Sequence, residues 1–295
     1  MADVLAELRN AIPALRPSER RVAEYVLSDP VAVLDHTITQ AAEGSATSVA
    51  SVVRFCRSVG YSGYAEFRLA LASTIGREQV SRDRFGVSDS DIAPSDDVRD
   101  VVAKLAYHEA SAIQATADAI DLTTLDAVAD AVVTATRVDI YGVAASGLAA
   151  ADLQQKLHRI GLISYCWTDV HLALTSAALL GQGSVAIGFS HSGLTMETAE
   201  SLEAARRSGA ATVLVTNFPN SPIAHRVDHV LTTSANETLY RPGAMSSRIS
   251  QLAVIDFLFV RIAQKLYKKT VPSLQSTYDA VQTHRLEQPR GRSGS

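Results

Sequence analysis

Residues 188–197 read GFSHSGLTME, and the apolar run SVAIGF (184–189) leads into them. A β-rich run, a short loop of glycines and hydroxyls, and a stretch with helical patterning make one strand–loop–helix unit. The same alternation recurs on both sides. VDIYG (138–142), LISYC (162–166), ATVLVT (211–216) and HVLTT (229–233) are short β-rich runs, and the segments 146–160, 168–180 and 194–208 read as helices between them. Strands joined by helices run parallel, because right-handed crossovers return each strand in the same direction. The expected fold here is therefore a three-layer α/β unit around a five-stranded parallel sheet.

In such sheets ligands bind beyond the carboxyl ends of the strands, where the strand order reverses. Two strand ends carry suitable chemistry. After SVAIGF, Ser190, Ser192 and Thr195 lie within six residues, with Gly193 among them. After VDIYG, Ser146 falls at a helix start in GVAASG (142–147). Backbone N–H groups and the helix dipole favour an anion at a helix N-terminus. Hydroxyls add donors without adding charge, so the loop suits a phosphate monoester with no lysine or metal. An ordinary N-cap loop is compatible with the same residues. A Walker loop is excluded, since no G-K-[ST] follows. The dinucleotide fingerprint also fails, with Ala144 where the second glycine belongs.

The N-terminal third is different. Residues 48–77 hold Arg54, Arg57, Arg68 and Arg77 against Glu66 alone, net +3, in a chain of net charge −4. PSERRVAEYVLSDP (17–30) begins with the helix-start signals Pro17 and Ser18 and stops at Asp29-Pro30. Thr37 and Gln40 have capping-box spacing and open a short helix that Gly44 ends. A further helix starts at Ser48, runs through VASVVRFCRSV and stops before Gly60. Val49, Val52, Val53 and Cys56 are expected on its apolar side, with Ser51, Arg54 and Arg57 on the other. Two short helices, the second basic, match the helix-turn-helix plan. A helical bundle with a solvated basic face fits the spacing equally well.

Residues 78–100, with seven acids against three arginines, read as an exposed linker, and EQPRGRSGS as a disordered tail. The expected units are thus 1–77, a linker 78–100, a second domain 101–284 and a tail 285–295. Cys56 and Cys166 form no disulfide or metal pattern, so a reducing cytoplasm is expected, with no metal and no cofactor. MADVLAELRN lacks a signal-peptide pattern, and LAVIDFLFV, interrupted by Asp256, is too short for a membrane span.

SVASVVRFCRSVGYSGYAEFRLAL (48–71) resembles the N-terminal domain of RpiR-type transcriptional regulators. Their recognition helix reads approximately S-x-x-T-V-x-R-F-C-x-x-L-G. This chain keeps Arg54, Phe55, Cys56 and Gly60, and has Ser51 for Thr and Val59 for Leu. The C-terminal part is similar to the sugar isomerase (SIS) domain, a phosphosugar-binding fold. It shows G-x-x-x-S at Gly142 and Ser146, then S-x-S-G-x-T from Ser190. Thr216, Ser221, Pro222, Ile223, Ala224, Val227 and Asp228 follow in the family's order. The resemblance implies that Ser146, Ser190, Ser192 and Thr195 hold the phosphate, that His191 contributes its backbone there and reaches the sugar, and that Gly193 belongs to the same effector site. ANETLYRPGAMSSRISQLAVIDFLFV (235–260) is similar to the closing segment.

The implied protein is a regulator that binds double-stranded operator DNA through Ser48, Ser51, Arg54 and Arg57, under control of a phosphosugar effector. A homodimer or homotetramer is expected, because one such unit rarely supplies enough affinity. The alternative is an aldose–ketose isomerase with Glu237 as base, and with His171, His191 and His225 as further candidates. In the regulator, Glu237 would contact sugar hydroxyls instead.

Overall fold

The computed structural model describes residues 4–12, 15–88, 92–235 and 244–282. Glu237 and the tail 285–295 lie outside the described residues.

The N-terminal helices start and stop where local chemistry dictates. They are α1 (Val4–Ala11), α2 (Pro17–Ser28), α3 (Pro30–Asp35), α4 (Ile38–Gly44), α5 (Val49–Ser58) and α6 (Tyr64–Phe85). Pro17 occupies the first turn of α2, as expected. Asp29-Pro30 stops α2 but also launches α3, since the Asp29 carboxylate accepts from the Ala32 N–H at 3.0 Å. Thr37 and Gln40 form the expected reciprocal box, at 2.8 and 3.3 Å. Ser48 caps α5 by accepting from the Ser51 N–H, and Gly60 leaves the helix at φ +93°. Leu8, Val22, Val52, Phe55, Phe67 and Leu71 are buried as one cluster. Phe55 meets Phe67 edge to face at 5.4 Å.

α6 runs through the first eight residues of the expected linker. Residues 78–85 are polar, yet i,i+4 pairs stabilise the helix: Arg82 with Glu78, and Gln79 with Asp83 at 2.9 Å. Gly86, at φ +65°, ends it. Asp97 then caps the next helix, and Lys104 on that helix pairs with Asp96 at 2.8 Å.

The C-terminal unit comprises α7 (Val98–Ala119), α8 (Leu122–Thr134), β1 (Arg137–Gly142), α9 (Ala145–Arg159), β2 (Ser164–Trp167), α10 (Val170–Ala178), β3 (Ser184–Phe189), α11 (Met196–Arg207), β4 (Ala211–Thr216), β5 (His229–Thr232), α12 (Met245–Lys265) and α13 (Tyr267–Ala280). All five expected strands form, in the order β2-β1-β3-β4-β5, and every pairing is parallel. Val138, Ile140, Val185, Ile187, Val213 and Val215 face a layer that includes α8, α9 and α12. Tyr141, Ala186 and Leu214 face α10 and α11. α11 lies close on β3, for a Cβ on Gly188 would fall 2.6 Å from Leu202. Asp139 is buried in β1 but satisfied: Arg137 Nε (2.7 Å), Trp167 Nε1 (2.8 Å) and Ser176 Oγ (2.6 Å) all donate to it. The apolar α12 is a core element followed by α13, which tolerates an internal Pro272.

Two backbone positions yield tests. Ala144, between β1 and α9, has φ +52° and ψ −124°, a conformation that suits glycine. Such strain costs about 1–3 kcal/mol, and glycine's extra unfolded-state freedom offsets part of its relief. Ala144→Gly should therefore raise the calorimetric transition of the sheet unit by about 2 °C; a lower midpoint would contradict the strain. A Cβ on Gly44 would fall 2.4 Å from Tyr25 Cζ. That ring is held by a 2.9 Å hydrogen bond between its hydroxyl and His36 Nδ1. Gly44→Ala should cost about 1–3 kcal/mol in chemical denaturation, and an unchanged midpoint would show that Tyr25 moves freely.

Candidate functional site

The strand order reverses between β1 and β3, which leave the sheet as neighbours. The loops after these two strands are the ones that carry the hydroxyls. Ser190 extends β3, donating its N–H to the Val215 carbonyl at 3.1 Å. Gly193 then turns the chain at φ +63°, and a Cβ there would fall 2.0 Å from Ser221 Oγ. The loop is braced from the end of β4, where Thr216 Oγ1 and the Asn217 N–H both donate to the His191 carbonyl, at 3.1 and 3.0 Å.

Thr195 stands at the N-cap of α11 but does not cap it. Its hydroxyl lies 2.9 Å from Ser190 Oγ instead. Ser192 Oγ accepts from the Leu194 N–H at 3.2 Å, within the loop. The capping alternative therefore fails for both hydroxyls.

The β1–α9 turn has the same character. A Cβ on Gly142 would fall 2.6 Å from the Ser146 carbonyl oxygen, so the turn needs glycine. Ala144 stands at the N-cap of α9 and offers no side-chain cap. Gln251 Nε2 on α12 donates to Ser146 Oγ at 3.1 Å. With its oxygen accepting, Ser146 has its own proton available for an acceptor. Two helix N-termini, each worth about half a positive charge, thus start from neighbouring strands among hydroxyl donors. An anion that accepts charge-assisted hydrogen bonds from them gains roughly 1.5–3 kcal/mol per bond.

Ser146, Ser190, Ser192, Gly193 and Thr195 are thus brought to the carboxyl-terminal edge of the sheet, beyond its central strands. The His191 ring meets Phe218 edge to face at 5.8 Å. His171 and His225 are exposed, on α10 and on the turn before β5. Gln251 was not foreseen, nor were Ser246, Ser247 and Ser250, which α12 also buries. Ser221, Ser246 and Ser250 place hydroxyls in the interior with no hydrogen-bond partner among the described residues. Such groups cost about 1–3 kcal/mol each. The signal was present in SSRISQ (246–251), whose hydroxyl and amide residues recur at helical spacing ahead of an apolar run.

The basic helix α5 differs from expectation in detail. Ser48, Arg54 and Arg57 are exposed, but Ser51 is buried at 5% exposure. Ser48 Oγ lies 3.0 Å from Ser51 Oγ, and Arg54 Nη2 donates to Ser51 Oγ at 3.0 Å. Ser51 therefore organises the helix start and is not presented outward. Phe55 is buried with Val52 and Cys56, whereas Val49, expected on the apolar side, is 41% exposed. Burial pushes the Cys56 thiol up to about 11, in keeping with a packing role.

Residues 2–78 match the model of the helix-turn-helix domain of the rpiR family, and residues 132–261 match that of the SIS domain. An uncharacterized HTH-type transcriptional regulator of Caldanaerobacter subterraneus subsp. tengcongensis is 37% identical over 286 residues, covering 97% of this chain and 99% of that one. One from Haemophilus influenzae is 30% identical over 285 residues, covering 97% and 98%. The Vibrio vulnificus NanR protein complexed with ManNAc-6P superposes with a TM-score of 0.61 at 29% identity, covering 96% of this chain and 100% of that one. Among the described residues no helix is long and apolar enough to cross a membrane. The chain belongs to the rpiR family of helix-turn-helix transcriptional regulators, with a SIS domain on its C-terminal side.

Proposed function

We propose that this regulator binds operator DNA through α5 and that a phosphorylated sugar, held between the β1 and β3 loops, sets its operator affinity. The observation that carries this reading is the pair of uncapped helix N-termini at the strand reversal, with Thr195 and Ser190 paired to each other. The NanR complex supports a sugar 6-phosphate as effector and makes ManNAc-6P the first compound to test. Ser146, Ser190, Ser192 and Thr195 hold the phosphate in this reading. Sugar selectivity falls to shape and hydroxyl contacts, with Glu237 among the contacts and His191 beside the ring.

The chain acts as a sensor in this reading and not as an isomerase. A sensor needs affinity for its ligand and no proton transfer between carbons. Incubation with aldose and ketose phosphates should give no interconversion, and turnover dependent on Glu237 would restore the enzyme reading. The working form is a homodimer or homotetramer on an inverted repeat, with half-sites about one helical turn apart.

Ser190→Ala combined with Thr195→Ala removes two donors and leaves α5 untouched. The variant should bind operator as the unmodified chain does, within about twofold. Its response to the sugar phosphate should need at least about 100-fold more effector, the worth of two charge-assisted hydrogen bonds. A response at unchanged concentration in an operator-binding titration would place the phosphate elsewhere.

A further inference from the structure

The reading face of α5 is apolar where base edges would meet it. In helix-turn-helix proteins the first turns of the second helix contact the bases. Here those turns expose Val49 and Ala50, with Val53 half-buried beside them. Val49, Val53 and Arg57 follow at four-residue spacing and so share one face. Ser48 and Ser51 are engaged with each other, and Arg54 gives one of its nitrogens to Ser51. Ser48 Oγ accepts from the Ser51 N–H and meets Ser51 Oγ, which in turn holds Arg54 Nη2. The tip of the helix therefore presents methyl groups, flanked by the positive charge of residues 48–77, which complements a polyanion.

Only one base pair offers a methyl group in the major groove. Thymine carries it at C5, whereas guanine N7 and O6 and cytosine N4 need hydrogen-bond partners there. A valine or alanine against guanine or cytosine leaves those groups desolvated and unpaired, at a cost. Against thymine, the same side chains bury apolar surface. We infer that Val49, Ala50 and Val53 select operator half-sites with thymine methyl groups opposite the start of α5, and that the polar contacts to base or phosphate come later, from Arg54 and Arg57. This inference rests on α5 being the DNA reader, as proposed above.

The experiment has two stages. Full-length protein is first used to enrich duplexes from a random pool. In the enriched site each thymine is then replaced singly by deoxyuridine, which removes the C5 methyl and nothing else. At least one replacement per half-site should weaken binding about fourfold, the worth of one buried methyl group. Val49→Ser or Val53→Ser should abolish the difference between thymine and deoxyuridine at that position. The first of these alters an exposed side chain and leaves the core intact. An enriched operator insensitive to every deoxyuridine replacement would overturn the methyl reading while sparing DNA recognition by the chain. So would a thymine effect that persists in both variants. Failure to enrich any duplex would overturn DNA reading itself, and this inference with it.

Discussion

The reversal of strand order between β1 and β3 is the constraint from which the rest of the molecule follows. A parallel sheet built outward in both directions from that pair sends two consecutive chain crossings away from each other. The helices that begin after those strands, α9 and α11, therefore start side by side at the carboxyl-terminal edge of the sheet. Each N-terminus brings unsatisfied N–H groups and a positive dipole end. Side chains normally quench such ends, and here the residues at both N-cap positions do not. The glycines at 142 and 193 keep the two turns tight, since neither position has room for a Cβ.

That edge is also connected to the DNA-binding half through packed elements. Gln251 reaches Ser146 from α12, α12 packs on α7, α7 packs on α6, and α6 underlies α5. Thr116 on α7 adds a second connection, because its hydroxyl accepts from the Ser234 N–H at 3.0 Å just beyond β5. A ligand that tightens the edge can shift DNA affinity only as far as it binds the two states unequally, typically by about 1–3 kcal/mol.

Much of this was legible in the sequence because it depends on local signals. Each of the five strands is a short β-rich run, and the helix starts at Pro17, Thr37 and Ser48 are set by a proline or by capping side chains a few residues away. What escaped depends on tertiary packing or on side chains without apolar periodicity. α6 continues to Phe85 through a polar stretch held by i,i+4 pairs. Ser51 has the right helical phase for the exposed side, yet its neighbours Ser48 and Arg54 enclose it. Val49 has helical spacing with Val52, Val53 and Cys56 but lies outward, because the buried arc of α5 is centred on Ser51, Val52, Phe55 and Cys56. Gln251 is remote from Ser146 in sequence, and only the packing of α12 across α9 brings them together.

The account stands on a phosphate held by dipoles and hydroxyls, and one comparison tests that directly. Sugar phosphates, ManNAc-6P first, are screened for thermal stabilisation of the full-length protein. Calorimetry then compares the best ligand with the same sugar lacking its phosphate. A ligand present at 100 times its Kd should add about 2.7 kcal/mol of stability, and loss of the phosphate should weaken binding at least about 100-fold. Equal affinity for the free sugar, or no stabilisation by any sugar phosphate, would contradict the account.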